Sequence, residues 1–298
     1  MKKTLLVILL IISFILVGSV SALGKKSFFE LVKTGTPDEV KKAIKEGADV
    51  NARTTKEIEG FGEVEGVTPL MWAALWNQNP EVIKVLLGAG ANVNTRDANG
   101  FTSLMYAAGW NQNPEVIKLL LDAGADVDAR DKILGFTPLI HAASNNQNPE
   151  VIKLLLDAGA DVNARNEDGY TPLMWAAFFN PNPEVIQILL DAGADVDARD
   201  KKGYTPLMRA ASWNENAEVI NLLLDAGADV NARDKDGVTP LMYAAEKNTN
   251  PEVIKVLLDA GADGKAKSNV GKTAFDYARG NEHIKDTEIY WLLNDAQY

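Results

Sequence analysis

The chain has 298 residues, 46% of them hydrophobic, enough for one large packed domain or two smaller ones, which excludes disorder as its default state. Its formal charge of −11 disfavours a nucleic-acid partner, because proteins that hold the phosphate backbone present a basic stripe that releases counterions. Without a single cysteine it can form neither a disulfide nor a thiolate metal site, and it must be stable by packing alone.

Met1-Lys2-Lys3-Thr4 is a short positive region, and Leu5 to Val17 is an apolar, charge-free run. The small residues Gly18-Ser19-Val20-Ser21-Ala22 come next, so the segment reads as a secretory signal cleaved after Ala22. The run falls short of the roughly 20 apolar residues that a spanning helix needs, so no stable membrane insertion is expected after cleavage. Removing residues 1–22 takes away two lysines and no acid, which moves the formal charge from −11 to −13. An exported chain, periplasmic or extracellular, is the expectation.

Residues 23–66 read as an N-terminal capping unit. Phe28-Phe29-Glu30-Leu31-Val32, then Asp38 to Ile44, then Gly47-Ala48-Asp49-Val50-Asn51 are a degenerate copy of the text that repeats from residue 67 onward, with Lys33, Lys41, Lys42 and Lys45 on a solvated outer side. After Arg53 an insertion intervenes: 15 residues separate Arg53 from Thr68, where 6 separate Arg165 from Thr171. It is acidic and glycine-rich (Glu57, Glu59, Gly60, Gly62, Glu63, Glu65, Gly66) and reads as a tolerated surface loop.

Over 67–271 one text repeats six times. Thr68, Thr102, Thr137, Thr171, Thr205, Thr239 and Thr273 are spaced by 34 residues, with a single step of 35. In Thr171-Pro172 the hydroxyl can cap a helix and the proline fills a first-turn position whose N–H would be wasted. Leu173, Ala176 and Ala177 then share one narrow face, where alanine lets a second helix approach closely. Asn180 is expected to end the helix in the left-handed conformation that asparagine tolerates. Asn182-Pro183-Glu184 caps a second helix with an acid in its positive first turn; Val185, Ile186, Leu189 and Leu190 form its apolar face, and Gly193 stops it. Residues 272–298 close the stack with Ile284, Ile289, Trp291, Leu292 and Leu293, for eight units in all.

A Thr-Pro-Leu opening, two helices and a Gly-Ala-Asp-Val-Asn ending resemble the ankyrin repeat over residues 27–298. The resemblance implies an all-α solenoid of helix-turn-helix units with projecting finger loops, which binds folded proteins through its concave helices and fingers. Two features depart from the family: a period of 34, where about 33 is usual, and Met71, Met105, Ile140, Met174, Met208 and Met242 where the family places histidine. Methionine packing is expected to take over that histidine's contact.

Catalytic chemistry finds little material. The two histidines, His141 and His283, lie in distant units, so no multi-histidine metal site or histidine-centred base can be assembled. Asp126-Val127-Asp128 with Asp131, and Asp195, Asp197 and Asp200, mimic calcium-loop spacing, but they lack the loop's glycine and closing glutamate, and sister units carry asparagine there. Turn hydrogen bonding by Asp and Asn side chains accounts for the pattern. No catalytic residue, metal or cofactor is assigned. Glu115, Lys118 and Asp122, like Glu150, Lys153 and Asp157, form a charged solvent face.

What remains is the other side of the first helices. Counting from Leu70, Trp72 and Trp76 fall at about 200° and 240°, turned from the alanine face. The sister pairs are Tyr106 with Trp110, His141 with Asn145, Trp175 with Phe179, Arg209 with Trp213 and Tyr243 with Lys247, flanked by the finger-base residues Phe101, Phe136, Tyr170 and Tyr204. Exposed aromatics in a groove are the composition of a binding hot spot, although such rings could equally stack between units as a packing ladder. The reading is a monomeric, non-enzymatic scaffold that holds a protein partner on Trp72, Trp76, Phe101, Tyr106, Trp110, Phe136, Tyr170, Trp175, Phe179, Tyr204, Trp213 and Tyr243. The alternative is a small-ligand or glycan receptor that uses the same rings.

Overall fold

The computed structural model describes residues 26–60 and 62–298. The signal segment and its cleavage point lie outside the described residues. The chain forms two compact units, one of the described residues up to Asp126 with Arg130–Ile133, the other of Val127–Ala129 with Leu134–Tyr298.

The N-terminal unit holds three helix pairs: α1 (Phe28–Thr34) with α2 (Pro37–Lys45), α3 (Pro69–Trp76) with α4 (Pro80–Gly88), and α5 (Ser103–Trp110) with α6 (Pro114–Asp122). First helices pack on first helices and second on second. The C-terminal unit repeats this with five pairs: α7 (Pro138–Asn145) and α8 (Pro149–Asp157), α9 (Pro172–Phe179) and α10 (Pro183–Asp191), α11 (Pro206–Trp213) and α12 (Ala217–Asp225), α13 (Pro240–Lys247) and α14 (Pro251–Asp259), and α15 (Ala274–Ala278) and α16 (Glu288–Ala296). This is the α-solenoid architecture, with sixteen helices among the described residues.

Local chemistry sets the boundaries. Each first helix after α1 opens on a threonine hydroxyl that accepts the amide three residues on, as Thr171 does from Met174 at 3.3 Å. Each second helix between the two end pairs opens on an asparagine, as Asn182 does from Glu184 at 3.0 Å, and it ends before a left-handed glycine such as Gly193 (φ 88°). The core lies between the two helix layers. Leu173, Ala176, Ala177, Val185, Ile186 and Leu189 are all fully buried, and the methyl side chains of the alanines set the close approach of the layers. Met71, Met105, Met174, Met208 and Met242 are buried too; at Thr68 the sulfur of Met71 accepts the threonine amide at 3.4 Å and so completes the cap.

The asparagine that ends each first helix behaves differently from the expectation. Asn180 is extended (φ −87°, ψ 119°), not left-handed. Its side chain makes the bonds instead: Oδ1 accepts from the Asn182 amide at 3.0 Å, and Nδ2 donates to the Ala143 and Asn146 carbonyls of the preceding repeat at 3.1 and 2.9 Å. Asn214, Asn248 and Asn281 repeat the pattern in the C-terminal unit, as Asn77 and Asn111 do in the N-terminal one. These amides are almost wholly buried, so leaving their carbonyl partners unpaired would cost about 1–3 kcal/mol each. Asparagine supplies two donors and an acceptor in the space of one small side chain.

The insertion is a β-hairpin, not a loop. β1 (Thr54–Ile58) pairs antiparallel with β2 (Gly62–Val67), with Lys56 opposite Val64 and Glu57 opposite Glu63. Ile58, Val64 and Val67 are buried, while Glu57, Glu63 and Glu65 face outward.

Candidate functional site

The fingers carry the rest of the repeat's polar bonding. Arg53 and Arg96 in the N-terminal unit, and Arg165, Arg199 and Arg233 in the C-terminal unit, each donate to the carbonyl of the finger 34 or 43 residues on, at 2.6–2.7 Å. The aspartates with calcium-loop spacing hold turns, as expected: Asp195 Oδ1 accepts from the Asp197 amide at 3.1 Å, and the Asp195 amide donates to Asn163. Among the described residues no group of three or more His, Cys, Asp or Glu is arranged to hold a metal ion, and no helix is long and apolar enough to cross a membrane.

At Asp97, Asp200 and Asp234 a finger-base carboxylate ties the finger to its own first helix. Asp97 accepts the Phe101 amide on Oδ1 at 2.9 Å and the Tyr106 hydroxyl on Oδ2 at 2.6 Å. Asp234 does the same for Val238 and Tyr243, and Asp200 takes the Tyr204 amide and Arg209 Nη2, the latter at 2.8 Å. Burial pushes the Asp97 carboxyl above the usual carboxylate range, against the pull of the Tyr106 hydroxyl and backbone amides. The hydroxyls of Tyr106 and Tyr243 are driven far above a normal phenol, first by burial and then by these carboxylates. The repeat of Asn166 lacks the tie. Asn166 and Trp175 hold the corresponding positions, and Asn166 Nδ2 and Trp175 Nε1 are both buried donors without an acceptor.

These ties correct the expected aromatic row. Trp72, Tyr106, His141, Trp175 and Tyr243 are buried, as are Phe101 and Phe136. The angle on the helix is as expected, but the finger folds over that face and covers it. Phe101 packs on Tyr106 with centroids 5.1 Å apart, and Phe136 lies 4.9 Å from Trp175. The residues one turn further along, and the tyrosines at two finger bases, stay accessible. Trp76, Trp110, Phe179, Tyr170 and Tyr204 are half-buried, and Trp213 is 49% exposed.

In the C-terminal unit these accessible groups form one cluster. Trp213 meets Phe178 edge-on at 6.1 Å, Phe178 touches Phe179 at 4.0 Å, and Phe179 stacks on Trp175 at 5.6 Å. The Arg209 guanidinium lies 3.9 Å from the Tyr204 ring and 4.6 Å from that of Tyr170, whose hydroxyl it contacts; burial lifts the pKa of that hydroxyl to about 12, with Arg209 opposing. Lys247 stands 5.8 Å over Trp213. Phe178 joins this cluster although the pairing of positions along the first helices does not single it out; it sits about 140° from Leu173 on the same open side. In the N-terminal unit Trp76 meets Trp72 edge-on at 6.0 Å, and Trp110 lies 6.3 Å from Tyr106. Lys33, expected on the solvated outer side, instead lies over Trp76 at 4.7 Å.

The family model described as ankyrin repeats in three copies matches five overlapping stretches: residues 28–131, 104–200, 139–234, 180–268 and 207–295. A comparison with curated proteins gives no match.

Proposed function

Because the chain belongs to the ankyrin-repeat family, whose repeats are in general protein-interaction modules, we propose that it is a binding scaffold that holds a protein partner on the accessible aromatics of its first helices. The observation that carries this is Trp213. A side chain of that size standing half out of the surface, with its edge on Phe178 and a lysine over its ring, contributes little to the fold and much to an interface. Buried rings such as Tyr106 then act as framework. The partner is met outside the cytoplasm, since the first 22 residues read as an export signal.

Crosslinking and pull-down from the native envelope fraction tests the reading. The mature chain should begin at Leu23 by intact mass and should carry one partner at fixed stoichiometry. Trp213→Ala with Phe178→Ala should weaken that complex about thirtyfold or more, since a buried aromatic anchor is worth roughly 2 kcal/mol, while Tm moves little. Unchanged affinity accompanied by a large loss of Tm would make the cluster a packing element and end the proposal.

A further inference from the structure

Several cations of the repeat framework are already engaged. The finger arginines are bound to carbonyls, Arg209 to Asp200, Lys84 to Glu81 at 2.6 Å and Lys153 to Glu184 at 3.5 Å. Lys33 and Lys56 are different. They come from separate elements, α1 and β1, yet both ammonium groups stand over one ring, Trp72, at 5.6 and 5.5 Å from its centroid. Lys33 also covers Trp76, and Lys56 covers Phe29 at 4.8 Å. Among the described residues neither ammonium has a carboxylate within ion-pair distance or a hydrogen-bond partner. Each has three N–H donors to offer an acceptor.

The hairpin places that charge by strand alternation. Thr54, Lys56 and Ile58 share the face turned to the repeats, while Glu57, Glu63 and Glu65 are exposed. The acids of the insertion therefore point away from the lysine pair. The surrounding unit is also the less acidic one, with 12 basic and 15 acidic residues described, against 15 and 26 in the C-terminal unit. Two like charges beside one ring repel one another, and an anion that meets both relieves that repulsion.

We propose that Lys33 and Lys56, over Trp72 and Trp76, form an anion-reading subsite that takes the side-chain carboxylates of an acidic segment on a protein partner. This rests on the scaffold reading and specifies the partner's chemistry. The lysines donate to the carboxylate oxygens, and the segment's aliphatic carbons lie against the half-buried Trp76 and Phe29.

The mature full-length chain is titrated with a blocked tetraglutamate peptide, following the indole N–H resonances of Trp72 and Trp76, with blocked tetraglutamine as the control. The expected result is a saturable shift of those two signals by tetraglutamate alone, weakened by salt. Lys33→Gln with Lys56→Gln, which keeps much of each aliphatic stem, should lower the affinity at least about tenfold with Tm unchanged. Equal shifts with tetraglutamine, no shift at all, or an unchanged double variant would each overturn the subsite. The pull-down through Trp213 and Phe178 does not involve these lysines. A partner captured by the unaltered chain but indifferent to the lysine variant removes the acidic segment and leaves the scaffold standing, whereas failure of the unaltered chain to capture any partner removes the scaffold reading.

Discussion

At the scale of single residues, the buried tyrosines make the fold sensitive to base. Tyr106 and Tyr243 each donate to a buried carboxylate, and burial raises both hydroxyls above their ordinary value near 10. A group whose folded pKa is raised contributes stability that is fully present below its unfolded pKa and is lost as pH rises past it. Above about pH 10 the unfolded chain ionises these phenols while the folded chain cannot, so stability should fall by up to about 1.4 kcal/mol per pH unit for each. Asp97 acts in the same sense lower on the scale, because its burial also disfavours the charged form. Tyr106→Phe leaves an Asp97 oxygen unpaired and should cost about 1–3 kcal/mol at neutral pH. Urea unfolding between pH 9 and 11.5 should also show a shallower alkaline decline for this variant; an unaltered slope would mean that Tyr106 is not the titrating group. This tie is partly legible in the sequence, since an Asp nine residues before a Tyr or Arg recurs at 97, 200 and 234. The spacing alone does not say that the finger folds back.

Among the elements, the hairpin is the one piece without a repeat period. Its alternation over Thr54 to Ile58 and its left-handed Gly60 and Gly62 suit a strand pair, but a segment so rich in acid and glycine reads equally as a loop. Pairing is decided by the cover over Ile58 and Val64, which are buried. Its weak point is Glu57 directly opposite Glu63, a like-charge pair on the exposed face. Glu63→Lys should convert a repulsion into an attraction worth roughly 0.2–1 kcal/mol. The change should appear as slower amide exchange across Thr54–Val67, with Tm of the whole chain hardly altered. Faster exchange in that segment would mean that the two strands do not pair in this register.

For the molecule as a whole, the ladders imply that stability is nearly one-dimensional within each unit. Deleting Thr171 to Tyr204 removes one period of 34 and brings Asn214 to the place of Asn180, where Ala143 and Asn146 offer the same carbonyls. A folded, shorter protein should result, with a cooperative urea transition. Deleting 272–298 should cost more per residue, because it bares the apolar side of the α13–α14 repeat and strips the Asn281 bonds from Ala245 and Asn248. An unfolded internal deletion beside a stable terminal one would contradict the stacked-unit description. The repeat period, the helix N-caps, the alanine faces and the count of eight units were all determined by the sequence, because each depends on neighbours within a turn or on a copy one period away. The tertiary structure alone decided which rings stay accessible, what the terminal asparagines bond, and that Lys33 and Lys56 both reach Trp72. A helical angle gives direction from an axis, whereas burial depends on which distant segment comes to lie in that direction.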